Sequence, residues 1–278
     1  MPTSYLVTGA ARGLGYALLK VLAAKPEPIV LALVRNKQAA EQRLAADNIT
    51  NVHVLVADVT DDSALKGAAA EARSILGSQG LGLDVLIHNA AYVSEQTALT
   101  SISDYENDPK TIIEDTQRSV EVNVFGPLKV TLSFLDLVRQ SRLRKVVAIS
   151  SGMGDIEFPD MINEIQLANA APYAISKGAF NVLIAKLNAA YAGEGILFML
   201  ICPGRVDTLE GPMPELQEPI LSRVKGIEAK FEAYIGAKVV AMRPEDAARS
   251  VLAAVDRQSL AGGFGGSFWS HNGTKRWS

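Results

Sequence analysis

The chain has 278 residues, of which 48% are apolar and 21% charged, with a net charge of −3. That length suits one large α/β domain with a substantial core, and mixed charge of this size gives no electrostatic case for nucleic acid or an acidic membrane. One cysteine, Cys202, excludes an intrachain disulfide and suits a reducing compartment, while His53, His88 and His271 lack any metal-ligand spacing, so no metal is expected.

Met1–Tyr5 runs straight into an apolar stretch, so no signal peptide is expected and a cytoplasmic location follows. The apolar runs are strand-length and far short of a membrane span. Tyr5-Leu6-Val7 reads as the first strand. It opens into Thr8-Gly9-Ala10-Ala11-Arg12-Gly13-Leu14-Gly15 and then the helical pattern Tyr16–Leu22. Glycine permits tight turns and lets main-chain N–H groups approach a phosphate, and the helix behind points its positive end at the same place. Other glycine clusters occur at 77–82 and 262–266, but only the first follows a strand and opens a long helical pattern. This turn is therefore the expected nucleotide site.

Further runs at 29–34, 52–56, 85–88, 146–149 and 196–201 are rich in Val, Ile and Leu, with little polar alternation. Such strands are covered on both faces. Helical patterns lie between them, including 61–76, 172–192 and one opening at Arg243-Pro244-Glu245-Asp246. The alternation predicts a single-domain, Rossmann-type, doubly wound parallel sheet with helices on both faces, spanning residues 1–278. Residues 266–273 read as a last edge strand and turn, with His271 as a turn residue.

In this architecture ligands bind beyond the carboxyl ends of the strands. The residues to watch are then Thr8–Gly15, Arg35-Asn36, Asp58-Val59, Asn89-Ala90-Ala91, Ser150-Ser151 and Pro203-Gly204. An NAD site normally carries an acid after the second strand, for the ribose hydroxyl. Here the strand ends Val34-Arg35-Asn36, and no acid lies between Val30 and Ala40. Arg35, with Arg12 from the glycine turn, suits the 2′-phosphate of NADP(H).

Tyr173-Ala174-Ile175-Ser176-Lys177 sets a phenol and an ammonium on one helix face, about 6 Å apart along the axis. A nearby cation is expected to lower the phenol's pKa toward the working range of an acid–base catalyst. Tyr16 with Lys20 and Tyr234 with Lys238 repeat the spacing, but neither follows a strand ending in hydroxyl residues. Tyr173 does, because Lys145–Ser151 precedes it, and Ser151 could hold a carbonyl oxygen beside the phenol.

This ordered set resembles the short-chain dehydrogenase/reductase family nearly end to end. The family's cofactor turn matches Gly9, Gly13 and Gly15, and its Asn-Ala-Gly element appears as Asn89-Ala90-Ala91. Its helix asparagine matches Asn123, its serine Ser151, and its Tyr-x-x-x-Lys Tyr173 and Lys177. Its Pro-Gly turn matches Pro203-Gly204-x-Val206-x-Thr208, and Asp58 fits its adenine contact, next to Val59. The resemblance implies reduction of a ketone or aldehyde by NADPH. Tyr173 would donate the proton, Ser151 would orient the oxygen, Lys177 would hold the ribose, and Asn123 would anchor a water. A dimer or tetramer built on helices near 110–140 and 172–192 is implied too. Oxidation of an alcohol, redox-neutral work on a natural product, and a catalytically silent cofactor-binding regulator stay open as alternatives.

Tyr173 lies 22 residues after Ser151, wider than the family's compact pattern and similar to its carbonyl-reductase branch with Sniffer-like members. The acidic stretch 155–164 between them should border the substrate. Its acids suit a solvated loop or a cationic substrate, and Met153, Phe158 and Met161 suit an apolar wall or lid packing. Residues 209–236 should form a mobile lid, with Met213 and Leu216 as substrate contacts. Ser94–Asp115 should form a polar rim over the nicotinamide side.

Overall fold

The computed structural model describes residues 1–156, 167–208, 218, 220–236, 238 and 240–274. Seven strands form one parallel sheet: β1 (Ser4–Thr8), β2 (Ile29–Val34), β3 (Val52–Val56), β4 (Val85–His88), β5 (Lys145–Ile149), β6 (Leu197–Cys202) and β7 (Phe268–Ser270). Their order is β3-β2-β1-β4-β5-β6-β7. The chain winds outward from β1 in one direction and from β4 in the other, so the crevice between these two neighbours is the switch point of a Rossmann-type sheet.

Alternate side chains of each strand enter opposite cores, as the period of two requires. Val30, Ala32, Val34, Ile87, Val147 and Met199 face a core closed by α1 (Gly13–Ala23), α2 (Lys37–Ala46) and α8 (Pro244–Arg257). Leu31, Leu33, Leu86, Val146, Ala148 and Phe198 face the other core. That core is closed by α3 (Asp62–Gly77), α5 (Gly126–Arg139) and α6 (Ala171–Tyr191). Phe134, Phe180 and Phe198 are fully buried in it. Truncating a buried phenylalanine to alanine typically costs about 3–5 kcal/mol, so this layer is what fixes α5 and α6 against the strand ends.

Helix starts follow local chemistry. Asn36 caps α2 through a 3.0 Å bond from the Ala39 N–H, and Asp61 caps α3 by accepting from the N–H groups of Ser63 and Ala64. The stretch read from sequence as one helix near 110–140 is α4 (Pro109–Val120), a π-helical turn over Glu121–Phe125, and α5. Pro127, near the start of α5, has no N–H to give to a continuous α-helix. Beyond β6, α7 (Ile220–Ile235) supplies the helical part of the anticipated lid; Met213 and Leu216 fall outside the described residues. Among the described residues no helix is long and apolar enough to cross a membrane.

Candidate active site

The glycine turn sits at the switch point and is fitted to its neighbours. Gly9 and Gly13 have φ values of +65° and +54°, a region that favours glycine. A Cβ on Gly9 would lie 2.7 Å from the Ala90 Cα, and one on Gly15 would lie 2.4 Å from both Asn89 Nδ2 and the Gly9 carbonyl oxygen. Thr8 and Asn89 brace the two strand exits. The Thr8 hydroxyl oxygen accepts from the Asn89 and Ala90 N–H groups, both at 3.0 Å. Asn89 Nδ2 donates to the carbonyls of Thr8 and Gly9 at 3.1 and 3.2 Å. Ala90 and Ala91 need no left-handed backbone, which is why Ala91 can stand where the family pattern has glycine.

α1 begins behind this turn with Arg12 at its N-cap, no side-chain cap and no acid in the first turn. α2 and α3, by contrast, have their first N–H groups satisfied by Asn36 and Asp61. The first N–H groups of an α-helix have no partner within it, so an uncapped start in this place suits a phosphate. The Leu14 side chain is buried in the core, leaving only its backbone at the turn. Thr208 approaches Gly13, where an added Cβ would meet the threonine at 3.4 Å.

At the end of β2, the Arg35 side chain is 80% exposed, with Nη1 3.8 Å from Asp58 Oδ2. Asp58 also takes the N–H and hydroxyl of Thr60 at 2.9 and 2.7 Å. Val59 packs on Gly126, whose added Cβ would fall 2.8 Å from Val59 Cγ2. Arg12 is exposed.

Ser151, Tyr173 and Lys177 come together at the carboxyl end of β5, and Asn123 joins α6 there through the Ser176 hydroxyl. Ser151 caps a 3₁₀ turn over Gly152–Gly154, accepting from the Met153 N–H at 3.2 Å, and its hydroxyl lies close enough to the Tyr173 phenol to favour the ionised form. Burial pushes the Tyr173 phenol up from its ordinary range, the nearby Cys202 adds to this, and the Ser151 contact opposes it. The expected downward pull of Lys177 is not what governs this phenol. Lys177 Nζ stands 5.7 Å from the Tyr173 ring centroid and donates to the Ile149 carbonyl at 2.8 Å. Lys177 is itself buried, and desolvation lowers its pKa to about 8. Burial also pushes the Cys202 thiol up to about 12, so it stays protonated.

Asn123 lies in the π-helical turn with both N–H groups of its amide engaged. Its oxygen accepts from the Tyr92 N–H at 2.7 Å, and its Nδ2 donates to the Tyr92 carbonyl and the Ser176 hydroxyl, both at 2.9 Å. Its visible work is to tie the segment after β4 to α6. The repeated Tyr–Lys spacing on α1 has a structural purpose, since the Tyr16 hydroxyl donates to Asp47 at 2.8 Å. His88 is buried beside Thr131 at 2.9 Å, with its pKa lowered to about 3 by desolvation, and stays neutral. Among the described residues no group of acids, histidines and cysteine could hold a metal.

A model of the short chain dehydrogenase family matches residues 4–212. The chain belongs to the short-chain dehydrogenase family. Among its relatives in this family, a short-chain dehydrogenase/reductase of Aspergillus aculeatus, AacuF, is 41% identical over 99% of both chains. The short chain dehydrogenase virK of Hypocrea virens is 38% identical over 99% of both. Among solved structures, an NADPH-bound carbonyl reductase from chicken fatty liver shares the fold with a TM-score of 0.74 and 24% identity, covering 99% of this chain and 98% of that one. The carbonyl reductase Sniffer of D. melanogaster gives 0.74 at 19% identity with the same coverage.

Within this dehydrogenase, several site residues escaped the sequence reading. Asn181 takes the Ser150 hydroxyl at 2.5 Å and donates to the Gly154 carbonyl at 3.1 Å, holding the Ser151 turn on α6. Gly154 is required there, because a Cβ would lie 2.6 Å from the Gly178 nitrogen. Asn-x-x-x after the Tyr–Lys pair is not a motif, but a polar residue four positions past Lys177 on the same helix face was a usable signal. A cavity of about 280 Å³ opens between the segment after β4 and α7, lined in part by Leu99, Asp104, Asn169, Arg223 and Ile227. Arg223 donates to both Asp104 oxygens at 2.7 and 2.8 Å. Tyr173 does not line this cavity, and Phe158 and Met161 fall outside the described residues.

Proposed function

We propose that the protein is an NADPH-dependent carbonyl reductase, converting a ketone or aldehyde to an alcohol with Tyr173 as the proton donor. The observation that carries this is the Ser151–Tyr173 hydroxyl pair beside a buried Lys177, set across the strand ends from an uncapped glycine turn. Two neighbouring hydroxyls can both donate to one carbonyl oxygen. Ser151 orients that oxygen, and Tyr173 passes its proton to it as negative charge develops. A phenol whose pKa is raised arrives protonated at neutral pH, as reduction requires.

A nicotinamide dinucleotide fits the remaining groups. The N–H groups at the start of α1 suit its pyrophosphate, and Lys177, with one of its three N–H bonds given to Ile149, has two for ribose hydroxyls. When bound, a reduced nicotinamide supplies the hydride for the carbonyl carbon. Arg35 favours the phosphorylated form: its 3.8 Å approach to Asp58 is a long, exposed ion pair, which holds little energy and leaves the guanidinium free to turn to a 2′-phosphate. Arg12 can reach the same phosphate. The chicken carbonyl reductase of like fold is an NADPH complex, which supports the same choice. Gly9, Asn89, Ala90, Pro203, Gly204, Val206 and Thr208 would shape the cofactor groove. Self-association as a dimer or tetramer belongs to the same reading.

Oxidation of NADPH and of NADH, followed with a panel of aryl ketones, diketones and quinones, tests the proposal. We expect turnover of at least one carbonyl, with kcat/KM for NADPH exceeding that for NADH by about tenfold or more, the worth of a charge-assisted hydrogen bond. Tight NADPH binding without turnover of any carbonyl would instead make the chain a silent cofactor-binding regulator.

A further inference from the structure

The segment after β4 buries more polar groups than its place near the surface requires. Ser94, Thr97 and Asp115 are 5%, 2% and 9% exposed. A buried carboxylate is costly unless its oxygens are hydrogen-bonded, so Asp115 is held by what it binds. One of its oxygens accepts from the Tyr92 hydroxyl at 3.0 Å, and the other takes a short hydrogen bond from the Thr97 hydroxyl. Arg118, one turn further along α4, covers the Tyr92 ring at 4.7 Å from its centroid. None of these groups touches Tyr173, yet both partners of Asp115 lead to the helical turn that carries it.

The first route runs through Tyr92. Its N–H and carbonyl are both clasped by the Asn123 amide, whose other N–H reaches the Ser176 hydroxyl at 2.9 Å. Ser176 in turn donates to the Tyr173 carbonyl at 2.7 Å. The second route runs through Thr97. The adjacent Ala98 carbonyl accepts from Asn169 Nδ2 at 2.9 Å, and the Thr100 carbonyl accepts from the Ala170 N–H at 3.2 Å. Ala170 precedes α6 with φ of 54°, a left-handed conformation that costs an alanine about 1–2 kcal/mol and persists only where its surroundings impose it. Tyr173 thus sits between two fixed points, Ala170 before it and Ser176 after it, and Asp115 anchors both.

We infer that Asp115 is a positioning residue for Tyr173: by holding Tyr92 and Thr97 on α4 it fixes the start of α6 and so the place of the phenol. This rests on the reading of Tyr173 as proton donor. Proton transfer is steep in distance, and a displacement of about 1 Å can cost up to a hundredfold in rate.

The test compares Asp115→Ala, Asp115→Asn and Tyr92→Phe with wild type and with Tyr173→Phe, using a carbonyl that the enzyme reduces. Asp115→Ala should lower kcat by about tenfold or more while leaving the NADPH dissociation constant, read by nucleotide fluorescence, within about twofold. Asp115→Asn can accept from one hydroxyl and donate to the other, and should restore kcat to within about threefold of wild type. If Asp115→Ala does not fold, Tyr92→Phe carries the test, because it removes a single bond; it should lower kcat at an unchanged NADPH dissociation constant. A kcat for folded Asp115→Ala, or otherwise Tyr92→Phe, within about twofold of wild type, beside an inactive Tyr173→Phe, would overturn the inference. So would equal losses of NADPH binding and kcat. A Tyr173→Phe variant that still turns over would instead overturn the proton-donor reading itself.

Discussion

Tyr173 and Lys177 show how spacing can be right while the assumed physics is not. Four residues on a helix do put both on one face, with Lys177 Nζ 5.7 Å from the Tyr173 ring centroid and bonded to the Ile149 carbonyl. Burial then dominates both groups, raising the phenol and lowering the ammonium to about 8. The sign of the consequence is definite. Lys177 is charged below about pH 8 and loses its charge as pH rises through that value, so kcat for reduction should be level near neutrality and fall above about pH 8. An alkaline limb near pH 10.5, the ordinary lysine value, would contradict a buried Lys177. The same shift affects stability. Between about pH 8 and 10.5 the unfolded chain binds more protons than the folded one, so this group's contribution to stability rises with pH across that window. Desolvation of this kind depends on neighbours distant in sequence, which is why it could not be read from Tyr-x-x-x-Lys.

Elements were more legible than residues. Strands buried on both faces carry unbroken apolar runs, so β2 and β4 stand where composition put them, while β3 stands in its expected place but, at the sheet edge, leaves His53 and Val56 exposed. The π-helical turn was not legible, because it depends on Val59 meeting Gly126 and on Asn123 reaching Tyr92, both contacts from elsewhere in the fold. Helix faces bear on assembly. Phe125 and Leu132 lie two turns apart at 47% and 55% exposure, and Ile175 and Val182 two turns apart on α6 at 51% and 61%. Neither stripe is needed to cover the sheet, and exposed apolar rows on neighbouring helices suit a second copy. Sedimentation at micromolar concentration should show a dimer or larger species, and Leu132→Glu with Val182→Glu should shift it to monomer. A wild-type protein that sediments as a single chain at every concentration tested would contradict this.

On the scale of the molecule, parallel winding was legible from the alternation of strand and helix, and it places every strand exit at one end of the sheet. The two halves of the chemistry meet there because the glycine turn follows β1 while Ser151 follows β5, with β4 between them. What the motifs could not convey is the bracing: Thr8 with Asn89, Asn181 with Gly154, and Asn123 with Ser176. These pairs are 27 to 81 residues apart, and only the closed sheet brings them together. The central claim is that the Tyr173 hydroxyl supplies the proton at this junction. Its most direct test is kcat for Tyr173→Phe on a carbonyl the wild type reduces, with NADPH binding measured in parallel. We expect a fall of about 10²–10⁴-fold in kcat, the usual range for a lost general acid, with NADPH still bound. An undiminished rate in a variant lacking that hydroxyl would contradict it.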